Sequence, residues 1–418
     1  MPEPAPLLLA NDAVLLGVLA LMLGFVFWTA ESGHPFWKRF YSIFPPLLLA
    51  YFLPSLLTTF GLVNPEESQL YFMASRYLMP TALVLLTAVA DLPGTLKLGP
   101  KALIMFFTGT VGIIGGGALA MYVATLIAPG AAGVEGPDAM WRGMSTLAGS
   151  WIGGSANQTA LREIYGAGPD TFSIWVAVDV LVASVWLAMM LWVAANQNMV
   201  DRWLKADVSS LEAVKQRAQE YESQHARIPS LGDLIVVLAV GFGATGVAHF
   251  AADRLTPYFR ETFPDAAQFS VHSSFFWLIV VATVLGVALS FTPARKLQGV
   301  GASRIGSLFV YILVATVGLQ MNVLALADSP IFFLIGAIWL GTHAVLMIGM
   351  ARIIRAPSFF LAVGSEANVG GAASAPATAA AFHPSLIPVG ALLAVLGYII
   401  GTFGGWATGQ AMRLISGQ

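Results

Sequence analysis

The sequence predicts an all-α polytopic membrane protein of two inverted repeats, each with five spans and one re-entrant hairpin. Three observations carry that expectation. The chain is 57% hydrophobic and only 10% charged, with a mean hydropathy of +0.77, whereas soluble domains carry about 25% charged residues. Apolar runs of about 20 residues, enough to cross roughly 30 Å of hydrocarbon, recur along its whole length. Two further stretches, at matching places in the two halves, are rich instead in Gly, Ala and Ser.

The elements follow in order. MPEPAPLLLAND has no basic segment, and the run after it ends in bulky aromatic residues rather than a small-residue cleavage site, so that run reads as a retained span. Spans are expected at about 12–30, 41–60, 71–90, 102–128, 171–195, 231–252, 273–291, 305–322, 331–350 and 386–411. The two small-residue stretches are 141–165 and 357–382. As discontinuous crossing helices they would give twelve spans and parallel halves. As hairpins that dip in and return, they leave five crossings per half and make the halves inverted. An arm of about eleven residues rises roughly 16 Å, which reaches the bilayer midplane and lets the tips near Gly153-Gly154 and Gly370-Gly371 meet.

Between the halves, 198–230 is polar. Ser209 with Glu212 forms a capping-box pattern, and Leu211, Val214, Ala218 and Tyr221 follow at helical spacing. A cytoplasmic amphipathic linker is therefore expected between a first repeat, 1–197, and a second, 231–418. Two alignments support the repeat. ASRYLMPTALVLLTAVA (74–90) matches ASRIGSLFVYILVATVG (302–318), and GSWIGGSANQTA (149–160) answers GSEANVGGAASAPATA (364–379).

Loop charge gives the orientation, because cytoplasmic loops collect Lys and Arg. Glu66 and Glu67 precede the first member of the 74/302 pair, but Arg295 and Lys296 precede the second. Lys97 and Lys101 follow the first; only Asp328 follows the second. Glu135 and Asp138 stand before the first small-residue stretch, and Arg352 and Arg355 before the other. Equivalent loops of opposite charge are what inversion requires.

Irregular backbone at membrane depth is tolerated only where it is buried in protein or lines a wet cavity. Glycine permits the turn and lets backbone approach a ligand, and helix N-termini at the tips can face an anion while free carbonyls coordinate Na⁺. A solute site is therefore expected from Ser150, Gly153, Gly154, Ser155, Asn157, Gln158 and Thr159 in the first stretch. The second contributes Ser365, Glu366, Asn368, Gly370, Gly371, Ser374 and Thr378. The competing explanation is that Gly, Ala and Ser simply allow close helix packing.

Two intramembrane carboxylates need a partner, a proton or a cation. Asp179, in SIWVAVDVLVASVW, is expected at a Na⁺ or H⁺ coupling site or as the partner of a tip hydroxyl. Glu366 could share the coupling or bind a substrate amino group. His343 reads as a satisfied interior histidine, and Arg162 with Glu163 as a local pair on the far hairpin arm. With no cysteine, thiolate chemistry and disulfides are excluded, and a net charge of −2 argues against nucleic acid.

The stretches NDAVLLG, HPFWKRFY, ASRYLMP, GPKALIMFFTGT, WRGMSTLAGSWIGGSANQ, VAVDV, RIGSLFVYILVATVG and FFLAVGSEANVGGAASAPATAAAFHPSL resemble the YjcL-like family of bacterial membrane proteins, a family of unknown function. More distantly, the paired Gly-Gly tips are similar to those of sodium:glutamate and 2-hydroxycarboxylate symporters, although Ala156 and Ala373 stand where those carry a further glycine. That resemblance implies inverted five-span repeats, a mobile core moving past a scaffold in an elevator motion, and a solute held between the tips.

The resulting expectation is a bacterial inner-membrane symporter, not an enzyme, without a cofactor other than Na⁺ or H⁺ as coupling ion. It would act as a homodimer in the lipid bilayer. The family's association with amino-acid and dipeptide metabolism implies an amino-acid-like or dipeptide solute, with a dicarboxylate as the alternative. A passive channel, or an intramembrane hydrolase using Ser150 or Ser155 with His343, are the readings from other classes.

Overall fold

A computed structural model describes residues 11–41, 44, 46–65, 67–89, 98–208, 229–320, 330–383 and 386–418. Regular structure among the described residues is helical throughout. The principal helices are α1 (Asp12–Ala30), α2 (Pro46–Thr59), α3 (Leu70–Ala88), α4 (Pro100–Ile127), α5 (Met140–Gly153), α6 (Ser155–Tyr165) and α7 (Pro169–Ala195). The second half holds α8 (Leu231–Thr262), α9 (Ser274–Ser290), α10 (Ala302–Gly318), α11 (Pro330–Ile353), α12 (Ser358–Val369), α13 (Gly371–Phe382) and α14 (Ile387–Ser416).

Each expected span overlaps one of these helices. Seven are long and apolar enough to cross a membrane, or eight if α9 and the short helix Pro293–Val300, bent by 92°, form a single span. Residues Leu49–Thr59 of α2 and helix α10 are apolar but shorter. The protein is thus a polytopic helical membrane protein. The expected linker helix with Ser209, Leu211, Glu212, Val214, Ala218 and Tyr221 lies outside the described residues, as do Glu66, Lys97 and Asp328.

Both small-residue stretches are helical hairpins. The first turns at Gly154, whose φ of +83° and ψ of −178° suit glycine and strain other residues. Its arms then run back along each other. At the base the Arg142 guanidinium donates to the Tyr165 carbonyl, and the Trp141 and Tyr165 rings meet edge-on at 5.3 Å. Nearer the tip, Gly149 packs so closely that a Cβ on it would lie 2.6 Å from Leu161 Cδ1. The second hairpin turns at Gly370–Gly371, with Gly371 at φ +61°, and its ends are joined by Phe359 and Phe382, 5.4 Å apart. With 14, 11, 12 and 12 residues, the arms rise about 16 to 21 Å, short of the hydrocarbon thickness. Neither stretch runs on as a discontinuous crossing helix.

Packing sorts the helices into two bundles. One comprises α4, both hairpins, α7, α11 and α14, with α14 lying along α5 and α11 along α4. The other comprises α1, α2, α3, α8, α9 and α10, centred on α3 against α9 and α10. They meet mainly where α3 and α9 touch α6 and α14, and where α10 touches α6.

A few polar links cross the boundary. Glu163 accepts hydrogen bonds from Tyr71 and Arg76, the latter an ion pair of 2.9 Å. Arg76 sits in a π-helical turn, Ala74–Leu78, within α3. Arg162 instead donates to Gln320 Oε1 at 2.7 Å and stacks over Tyr71 and Phe172. The expectation of a local Arg162–Glu163 pair is thus corrected: consecutive residues on a helix point about 100° apart and do not face each other.

Candidate functional site

The site starts from α7. Pro169 begins this helix, and Asp138 accepts a hydrogen bond from the Thr171 N–H in its first turn. That register buries Asp179 against the first hairpin. Both arms then supply donors: Ser150 Oγ to Asp179 Oδ2 at 2.5 Å, Trp151 Nε1 to Oδ1 at 2.8 Å, and Gln158 Nε2 to Oδ2 at 3.4 Å. The carboxylate therefore ties the tip to α7, and of the two roles expected for it the hydroxyl partnership is present. Gln158 also accepts from Tyr51 of α2 at 3.3 Å, so this cluster reaches across the bundle boundary.

Glu366 lies on the second hairpin, one turn before its tip, and is 1% exposed. Its Oε1 is buried with no hydrogen-bond partner among the described residues. The absent side chain of Gly370 leaves the space that Ser374 Oγ and Glu366 Oε2 occupy, 1.6 and 2.7 Å from where a Cβ would stand. Any other residue there would displace both polar groups from the tip.

The two tips enclose a cavity of about 260 Å³. From the hairpins, Ser150, Gly154, Ser155, Ala156, Glu366, Val369, Gly370, Gly371 and Ser374 line it. Asp179, Val180, Ala183, Ser184 and Leu187 of α7 and Tyr398 of α14 complete the wall on that bundle. Leu47 of α2 and Ser307, Val310 and Tyr311 of α10 close it from the other. Thus eight of the expected site residues come together: Ser150, Gly154, Ser155, Asp179, Glu366, Gly370, Gly371 and Ser374.

The others stand behind the wall and hold it. Gly153 lets the tip touch α14, where a Cβ would lie 2.5 Å from the Gly397 carbonyl, so close packing does explain this glycine. Asn157 donates to the Gly153 carbonyl and accepts from Thr402 of α14 at 2.6 Å. Thr159 Oγ1 donates to the Ser155 carbonyl. Asn368 pins the second hairpin to α4, donating to the Phe106 and Gly364 carbonyls and accepting from Thr110 at 2.8 Å. Thr378 is fully buried on α13.

Ser365 serves a buried relay. Trp186 Nε1 donates to Ser365 Oγ at 2.8 Å, and Ser365 lies 2.7 Å from His343 Nε2. His343 Nδ1 faces the Gly109 carbonyl at 3.0 Å, which can only accept, so Nδ1 carries the proton and the serine hydroxyl donates to Nε2. His343 is thereby a satisfied interior histidine. The serine–histidine pairing imagined with Ser150 or Ser155 is not the one formed.

Sequence reading did not single out Ser184, Tyr311, Tyr398 or Ser307. Ser184 follows Asp179 by five residues on α7, about 140° further round the helix, so same-face helical spacing gave no signal for it. The two tyrosines sit alone in apolar spans that gave no signal. A wider recess of about 900 Å³ shares Ser307, Tyr311 and Tyr398 with the cavity. It extends along α1, α3, α10 and α14 to Glu31, Gln298 and Arg304.

The chain belongs to the family described as Protein of unknown function (DUF819), which matches residues 17–415. It is similar to the uncharacterized membrane protein YjcL of Bacillus subtilis (strain 168), with 21% identity over 352 residues, 83% of this chain and 85% of that protein.

Proposed function

We propose that the protein is a secondary active transporter of the bacterial inner membrane, moving a small polar organic solute by cation-coupled symport with Na⁺ or H⁺. The observation that carries this reading is the cavity between two hairpin tips, walled by both helix bundles. A site at such a boundary can be exposed first on one side and then on the other if the bundles slide. The bundle of α4, α7, α11, α14 and both hairpins is the mobile core; the other is the scaffold.

The two halves, 1–197 and 231–418, are the inverted repeats, joined by the 198–230 linker. Several pairings support this. α4 packs against its counterpart α11 and α3 against α10, while α2 meets α10 as α9 meets α3. A homodimer through the scaffold suits an elevator, since a fixed scaffold gives the core something to move against. The solute is amino-acid-like or a short peptide, bound without covalent chemistry, and Asp179 takes part in the coupling to the cation.

The test is uptake by proteoliposomes of the purified protein, with an imposed Na⁺ or pH gradient. Saturable uptake that collapses with the gradient supports symport. Non-saturable flux indifferent to both gradients would identify a passive pore instead.

A further inference from the structure

We propose that the cavity selects its solute by a protonated amine, with Glu366 as the receptor, and rejects dicarboxylates; this rests on the cavity being the solute site of the transporter reading. The two carboxylates in its wall are not equivalent. Asp179 accepts three hydrogen bonds from the first hairpin, so its charge is already spread over donors. Glu366 has no such set: Oε1 is buried and unpartnered among the described residues, and among the same residues the cavity wall contains no Lys, Arg or His.

A buried carboxylate in that position has to be neutralised or matched by a cation. An ammonium group supplies a full positive charge and three donors together. Glu366 takes the charge, and the hydroxyls of Ser374 and Ser155 in the same wall can accept the remaining N–H groups. The first turns of α6 and α13 also face the cavity through Ser155, Ala156 and Gly371. Each helix N-terminus counts as roughly half a positive charge, but the C-termini of α5 and α12 end at the same two tips, so the helix ends largely cancel and leave the Glu366 charge to be matched by the solute. A dicarboxylate would add two negative charges to a wall with no cationic side chain to receive them. At about 260 Å³ the cavity lies below the range of about 300–1,000 Å³ typical of drug-sized ligands, which limits the solute to a small one.

Thermal unfolding of the purified full-length protein against matched solutes tests the assignment. The panel is the standard amino acids, the primary amines made by removing their carboxyl groups, the 2-hydroxy acids that replace their amino group, and succinate and malate. A ligand that binds the folded state raises the apparent Tm with concentration. Shifts are expected only from members with a protonated amine. Glu366→Gln is expected to raise the half-saturating concentration roughly thirtyfold or more, as for loss of one partner of a buried charge pair, while the ligand-free Tm stays at or above that of the parent.

The wild-type comparison of amine with hydroxy acid stands even if the variant does not fold. Shifts from succinate or a hydroxy acid with none from an amine would overturn the proposal, as would no amine shift at all or an amine shift unchanged in Glu366→Gln. Amine binding without gradient-driven uptake in proteoliposomes would instead uphold the amine receptor and remove the transporter reading.

Discussion

Asp179 and Ser365 show how two buried polar residues of similar appearance in the sequence come to different work. Asp179 lines the cavity and receives three donors, so Asp179→Asn keeps an acceptor for Trp151 but loses the charge that Ser150 and Gln158 address. The expected result is a loss of Na⁺- or pH-dependent thermal stabilisation, with a ligand-free stability loss of about 1–3 kcal/mol from the misplaced donors. Unchanged ion dependence of Tm in the variant would remove Asp179 from the coupling. Ser365 lies behind the wall between Trp186 and His343. Ser365→Ala orphans both buried partners and should destabilise by about 1–3 kcal/mol with solute affinity retained; a large loss of affinity at normal Tm would place Ser365 at the solute after all. Hydrophobic patterning exposed Asp179 as an oddity within its span. It could not say that Ser365 faces backwards while its neighbour Glu366 reaches the cavity, because that depends on where α7 and α11 lie around the second hairpin.

At the level of elements, the hairpins were legible because glycine marks backbone that other residues resist. Gly154 and Gly371 both take positive φ, and neither would gain a clash from a Cβ within 3.4 Å. The obstacle to substitution is thus conformational, on the order of 1–2 kcal/mol for an ordinary residue in the left-handed region at Gly371, about 1–3 kcal/mol at Gly154, whose φ of +83° and ψ of −178° belong to a region essentially reserved for glycine, and more for a β-branched residue. Gly371→Val should project its side chain into the cavity and stop uptake, while the protein remains in the membrane at normal abundance. Gly154→Val should do the same from the other tip. Normal uptake by both variants, measured at matched protein levels, would separate the tips from the solute path. The span boundaries were less legible: α8 continues through Pro257 to Thr262, ten residues beyond the apolar run, because the run ends where charge begins and the helix does not have to.

For the whole molecule, the division into two bundles was invisible in the sequence, since it depends on which apolar faces meet. The Arg76–Glu163 pair joins them with side chains 28% and 19% exposed, so solvent weakens it to no more than about 1 kcal/mol. That is little for stability but roughly fivefold in an equilibrium between two arrangements of the bundles. Because the chain has no cysteine, a single one at Gln298, in the wide recess, reports its opening without background. On the proposed sliding of the bundles, Glu163→Gln should slow labelling there by favouring the opposite opening; an unchanged rate would show that the pair does not hold this arrangement. The hydrogen bonds of Asn157, Asn368, His343 and Asp179 begin and end within the bundle that contains both hairpins. On the proposed transporter reading, selection is thereby largely separated from speed: changes inside that bundle would alter which solute is held, and changes along its border would alter how often it is delivered, so the turnover number could drift in evolution while the cargo stays the same.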